Sequence, residues 1–146
     1  MSETKPAPSL DSAPLRRGAV AVVVRQEKLL VIRRSATVVA PRALCFPGGG
    51  IEAGESEEQA LMRELVEELG VRVRPVRRVW RSTTPWRVEL SWWLAELDVS
   101  ATLLPNPAEV ESAHWLTLQE MAAMGDLLES NRRFLAALAS GEIVLD

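Results

Sequence analysis

Residues 47–71 read PGGGIEAGESEEQALMRELVEELGV, a proline and three glycines running straight into an acidic helical pattern. Ser56 followed by Gln59 has the form of a capping box, with Ser56 as N-cap and Gln59 reaching back from the third helical position. Gly70 supplies a left-handed stop after Leu69. The spacing therefore predicts a helix over 57–69. Leu61, Leu65 and Leu69, joined by Met62 and Val66, form an apolar stripe that must face a core. Glu64, Glu67 and Glu68 stand at i, i+3 and i+4 and share another face, with Glu57 on nearly the same line.

That acidic face is a poor arrangement for a helix that needs only stability. Like charges at i, i+4 cost about 0.2–0.5 kcal/mol per pair, and Glu67 and Glu68 lie in the last turn, where the helix dipole favours cations. A divalent cation would resolve both penalties, and clustered carboxylates are hard ligands suited to Mg²⁺ or Mn²⁺ rather than zinc. A merely solvated glutamate face is the plainer alternative. The spaced glycines, Glu55 and Arg63 weigh against it. Upstream, Pro47-Gly48-Gly49-Gly50 breaks both helix and central strand, so a turn is expected there, one that lets backbone groups approach a metal or phosphate closely. No Gly-Lys-Ser/Thr follows, so it is not a P-loop.

Taken together, Gly49, Glu55, Arg63, Glu64, Leu65, Glu67, Glu68, Gly70 and Val71 resemble the Nudix box at every specified position. At a background of roughly 7% per residue type, such a coincidence arises on the order of once in 10⁹ windows. The resemblance implies an α/β fold, an α/β/α sandwich around a mixed β-sheet. It also implies hydrolysis of the diphosphate linkage in a nucleoside diphosphate joined to another group, with Mg²⁺ or Mn²⁺ as cofactor. By position, Glu67 and Glu68 become the principal metal ligands, with Gly48 lending its carbonyl. Glu64 is either the base that activates water or a further ligand. Glu55 binds metal directly or through water, and Arg63 orients the carboxylates, so that Glu64, Glu67 and Arg63 make up the catalytic group. Glu109, six residues before Trp115, is the best candidate for an additional acid, with Glu111 second. Gly49, Gly50, Pro85 and Trp86 are the candidate substrate contacts, and Gly49 and Gly70 also have structural roles. A nucleotide-binding sensor without catalysis is the alternative from another class, but such modules commonly lose a box carboxylate and none is lost here. An isoprenoid diphosphate isomerase would need a histidine-rich metal site, and the chain holds one histidine, His114.

At 146 residues the chain suits a single domain with a substantial core. Residues 1–17, with three prolines and no apolar core of signal-peptide length, read as a flexible tail, leaving residues 18–146 as the domain. A net charge of −3 argues against general nucleic-acid binding. The longest apolar run, Ala19–Val24, is too short to cross a membrane. A cytoplasmic protein acting on a small nucleotide is expected, with a homodimer left open. The single cysteine, Cys45, excludes an internal disulfide and reads as a buried strand residue. His114 reads as structural.

The rest of the chain divides into a hairpin of Gly18–Arg25 and Lys28–Arg33 around Gln26-Glu27, a short strand at Leu44–Phe46, and a strand over Val71–Ser82 that Pro75 marks as an edge or bulge. A strong strand follows over Trp86–Leu97, then a loop from Ser100 to Glu111, a brief strand at His114–Leu116, a helix started by Thr117 and Glu120, and a last helix from about Leu127 to Ala139. Trp80 is assigned to the core more readily than to a base-stacking role. Fifteen arginines against two lysines favour planar phosphate recognition. Arg72, Arg74, Arg77 and Arg78 are more simply a strand's wet face. Pro85, fourteen residues beyond Val71, is similar to a marker of ADP-ribose-hydrolysing members, and Ser82–Trp86 resembles part of an NADH-hydrolase motif. The chain has no tyrosine, which weakens a dinucleoside-polyphosphate reading. A nucleoside triphosphate stays open.

Overall fold

A computed structural model describes residues 15–146. Eight strands and three helices follow in the order β1 (Arg16–Val22), β2 (Val24–Arg25), β3 (Lys28–Arg34), β4 (Leu44–Cys45), β5 (Gly48–Gly50), α1 (Glu57–Leu69), β6 (Val73–Thr83), β7 (Val88–Leu97), β8 (Val110–Leu116), α2 (Leu118–Ala123) and α3 (Glu129–Ala139). The predicted tail lies outside the described residues as far as residue 14. Its last two residues, Arg16 and Arg17, already belong to β1.

Two sheets share the centre. One has the order β5-β1-β7-β6 and is mixed, because β1 runs parallel to β7 while the other pairs are antiparallel. In the other, β3 lies between β4 and β8 and also pairs with β2. Both faces of the central strands are covered, so their sequences read as nearly continuous apolar runs. Ala19, Ala21, Leu30 and Ile32 pack under Leu61, Leu65 and Leu69 of α1. Val22, Leu29 and Val31 point the other way, toward Met121 of α2 and Phe134 of α3. The result is the α/β/α sandwich. On the α3 side, Trp92 stacks on Phe134 with ring centroids 4.8 Å apart, and Phe46 meets both edge-on.

The sequence reading of α1 and its caps holds. Ser56 and Gln59 make both capping bonds, and Gly70 takes φ 64°. Elsewhere the structure differs. The expected hairpin is split at Val23: only β2 pairs with β3, through Gln26 and Glu27 at φ 51° and 66°. The longer part, β1, pairs with β7, whose partnership is invisible locally. Gly48–Gly50 is a strand, not a turn. It sits at a sheet edge, where one side alone needs pairing, and it lies antiparallel to β1. Met62 and Val66 are exposed rather than inward, because Leu61, Leu65, Leu69 and Ala60 already fill the contact face. Trp86 precedes β7 in a turn where Arg87 has φ 58°. β8 begins at Val110, earlier than expected, and α3 begins at Glu129, after Leu127 has bridged to Leu44. Pro75 does fall beside a register shift in an edge strand.

Gly48 has φ 152°, and a methyl there would strike the Ala19 carbonyl of the neighbouring strand. Gly54 has φ 84° but open space around it. Gly54→Ala should therefore cost only the conformational term, about 1–2 kcal/mol. Gly48→Ala should cost more, since the strand must also move. Denaturant unfolding of the two variants checks this, and equal losses would mean that β5 does not press on β1.

Candidate active site

The acidic residues are positioned by two elements that touch closely. α1 crosses β5 so that the Glu64 carboxyl rests where a side chain on Gly49 would be, and any methyl there would collide with it. One turn on, Glu68 Oε1 accepts the Gly48 N–H at 3.0 Å. Gly48 thus meets Glu68 through its amide. Glu64 and Glu68 are buried, and Glu67, on the solvent side, is 45% exposed.

Arg63 binds the remaining box carboxylates together. Its Nε and Nη2 fork onto Glu55 at 2.6 and 2.9 Å. Nη1 reaches Glu64 at 3.2 Å and both oxygens of Glu67 at 3.3 Å, and Nη2 also donates to the Gly50 carbonyl at 2.8 Å. The fork, helped by the Glu52 N–H, holds the Glu55 carboxyl down to about 2. These same carboxylates, Glu55 foremost, hold the Arg63 guanidinium more firmly protonated.

Glu64 and Glu68 are in the opposite condition. Burial raises the Glu64 carboxyl, against the pull of Arg63. Burial and then the neighbouring Glu64 push Glu68 up to about 8, with Glu109 adding to the repulsion and the Gly48 N–H opposing it. Glu109 therefore lies within electrostatic reach of both, whereas Glu111 pairs with Arg42 at 3.5 Å. Among the described residues no three acidic, histidine or cysteine groups close tightly enough to enclose an ion as they stand. The donor set nonetheless fits a hard divalent cation: oxygen ligands only, crowded by burial until their mutual repulsion favours either a proton or a metal.

A cleft of about 320 Å³ lies on the other side of the glycine strand, lined by Gly48, Gly49, Gly50, Arg16, Arg34 and Asn131. Without side chains, β5 is a thin wall between the cleft and the carboxylates. Arg34 lines the cleft and also acts electrostatically on Glu68. A smaller groove of about 190 Å³ contains Pro85, Trp86 and Arg133 and shares Leu128 and Ser130 with the cleft. Trp86 is 69% exposed there.

Other residues fall elsewhere. Glu57 is not with the acidic cluster: its buried carboxylate is held by Arg17, Arg78 and Arg81 at 3.0–3.3 Å and by the Trp93 indole at 2.8 Å. Burial alone would raise this carboxyl, but the Trp93 and arginine hydrogen bonds outweigh it and hold it low. Arg78 is thus more than a wet-face residue, a role its strand pattern does not reveal. Trp80 packs on Trp92 and Phe134 and donates to Glu142. His114 is exposed and bonded to Ser112. Cys45 is buried, and burial raises its thiol to about 11, so it is inert at neutral pH. Asn131 went unnoticed in the sequence although it interrupts the apolar face of α3. It accepts the Phe46 N–H at 2.9 Å and lines the cleft.

Fold and site together define an α/β/α protein with a carboxylate centre beside a glycine edge strand. A family model described as NUDIX domain matches residues 15–138, and the chain belongs to the Nudix family. A Nudix hydrolase of Deinococcus radiodurans is 35% identical over 123 residues, covering 74% of this chain and 71% of that protein. The NAD-capped RNA hydrolase NudC of the same organism is 35% identical over 98 residues, covering 66% of this chain; the match spans about a third (34%) of that relative's length. The solved structure of a MutT protein from Methanosarcina mazei has the same fold, with a TM-score of 0.73 at 20% identity over 90% of this chain and 97% of that one.

The weakened acidity of Glu68 has a consequence for stability. In the unfolded chain a glutamate ionises near 4.3, while in the metal-free fold Glu68 keeps its proton to about 8. The folded state therefore binds more protons across that window, and stability falls as pH rises from about 4.5 to 8. In chelator, thermal unfolding should show this decline. Glu68→Gln should flatten it, and Mg²⁺ or Mn²⁺ should raise the midpoint most at the alkaline end. An unaltered slope in the variant would assign the decline to other groups.

Proposed function

We propose that this chain is a metal-dependent pyrophosphohydrolase that cleaves the diphosphate linkage of a nucleoside diphosphate joined to another group, in the cytoplasm. The observation that carries this is the set of box carboxylates on α1, intact and crowded against the glycine strand, with a nucleotide-sized cleft on its far side. Glu67, Glu68, Glu64 and Glu55 would hold Mg²⁺ or Mn²⁺, with Glu109 approaching from its loop and the Gly48 carbonyl as a further oxygen ligand. When bound, the cation neutralises phosphate oxygens and lowers the pKa of an attached water.

The chain's own residues supply the rest. Arg63 gathers Glu55, Glu64 and Glu67 into one cluster beside the Gly50 carbonyl. Glu64, buried and less acidic than an ordinary carboxylate, is suited to take the proton of the attacking water, because a base works best with a pKa near the working pH. Gly49 and Gly50 let a diphosphate lie against bare backbone at the wall between cleft and carboxylates. Arg34 faces the cleft with a charge that suits phosphate. Pro85 and Trp86, in the adjoining groove, would receive the group beyond the diphosphate.

ADP-ribose-type sugar diphosphates and nucleoside triphosphates are the leading substrate classes, with dinucleoside polyphosphates behind. The relative that acts on NAD-capped RNA adds a capped oligonucleotide to the candidates worth assaying. Binding of these nucleotides without turnover would favour the sensor reading instead.

A screen of these compounds with Mg²⁺ and Mn²⁺ tests the proposal. Activity should vanish in chelator and return with metal. Glu68→Gln should lower turnover by about 10²–10⁴. Glu109→Ala should reduce the maximal rate far more than Glu111→Ala. A sugar diphosphate should yield two monophosphates, and a triphosphate should yield monophosphate and pyrophosphate. Reaction in ¹⁸O-labelled water locates the attacked phosphorus. Full turnover by Glu68→Gln in chelator would end the metal-site reading.

A further inference from the structure

The last turn of α1 carries Glu67 and Glu68, and its final carbonyls need donors from outside the helix. The Gly70 N–H serves Leu65 and Val66. The next three carbonyls are all met by one distant segment. Leu104 N–H donates to Leu69 O at 2.8 Å, Asn106 N–H to Glu68 O at 2.9 Å, and Asn106 Nδ2 to Glu67 O at 3.2 Å.

Asn106 also shapes the chain that follows. Its Oδ1 accepts from the Ala108 N–H at 3.2 Å, and its carbonyl accepts from Glu109 N–H at 2.9 Å and Val110 N–H at 2.7 Å. From the opposite side, Ser35 N–H donates to Glu109 O at 3.0 Å, and the Ser35 and Thr37 hydroxyls donate to Ala108 O at 3.3 and 3.5 Å. Glu109 is therefore bracketed, with Asn106 as the joint between its loop and α1.

The bracket fixes where Glu109 sits. Glu109 lies within electrostatic reach of Glu64 and Glu68, and a loop without these hydrogen bonds would be free to carry it away from them. We infer that Asn106 is a positioning residue: it clips the Glu109 loop to the last turn of α1 and so holds Glu109 at the carboxylate centre. This rests on the proposed role of Glu109 in that centre.

Two variants separate the clip from simple helix capping. Asn106→Asp keeps the oxygen that accepts from Ala108 but loses the donor to Glu67 O. Asn106→Ala loses both. In the metal-free full chain, amide hydrogen exchange at residues 108–110 should quicken roughly five- to tenfold in both variants, the effect of losing about one hydrogen bond. The middle of α1 should keep its protection. Titration with Mn²⁺ alone should show affinity weakened roughly fivefold by Asn106→Asp, and by less than twofold when Glu109→Ala is already present. Equal weakening in both backgrounds, or unchanged exchange in the loop, would overturn the inference. If Glu109→Ala alone leaves Mn²⁺ affinity unchanged, it is the reading of Glu109 as part of the centre that fails, and the exchange result still decides whether Asn106 holds the loop.

Discussion

The rest of the molecule is arranged around the contact between the Glu64 carboxyl and the bare backbone of Gly49. A helix cannot bring an acidic face this close to a strand that carries side chains. With glycine at the contact, α1 settles until Glu68 meets the Gly48 amide and Glu64 is nearly out of water. The apolar face of α1 fixes that depth, because Leu61, Leu65 and Leu69 are fully buried against β1 and β3. Hydrophobic packing thus drives two carboxylates into a position that electrostatics alone would oppose. No transfer of apolar area makes a buried carboxylate comfortable, and the strain shows as carboxyls that hold their protons more tightly instead of as misfolding.

Arginines divide the acidic residues into two populations. Glu55 and Glu57 are held ionised, one by the Arg63 fork and the other by Arg17, Arg78, Arg81 and Trp93. Glu64 and Glu68 are left short of positive charge. Glu57 anchors the start of α1 to β1, β6 and β7, and the second population is what a cation would complete. Mere abundance of glutamate would not produce this contrast. It requires that the guanidiniums reach one end of the helix and mostly not the other.

Placing the cleft across β5 from the carboxylates gives the glycine strand a second duty. Only the backbone of β5 stands between the cleft and the carboxylates of α1. Trp86 and Arg133 line the groove that shares Leu128 and Ser130 with the cleft.

The sequence by itself determined α1 to the residue, since its caps are local hydrogen bonds between positions three apart and its stop is a glycine with the one backbone geometry that ends a helix cheaply. It likewise determined that strands covered on both faces would be sandwiched by helices, and it brought Glu55, Arg63, Glu64, Glu67 and Glu68 into one short segment. What the tertiary structure decided has a common cause, which is contact between residues far apart in the chain. The parallel pairing of β1 with β7 splits the expected hairpin. β5 becomes a strand because β1 offers it an edge. Glu57 leaves the acidic line that helical spacing gave it because arginines from β1 and β6 reach it first. Glu109 comes within electrostatic reach of Glu64 and Glu68 from a loop held by Asn106 and Ser35, whose hydrogen bonds have no trace in local pattern. Periodicity reports which way a side chain faces along its own element. Only the assembled fold reports what stands opposite it.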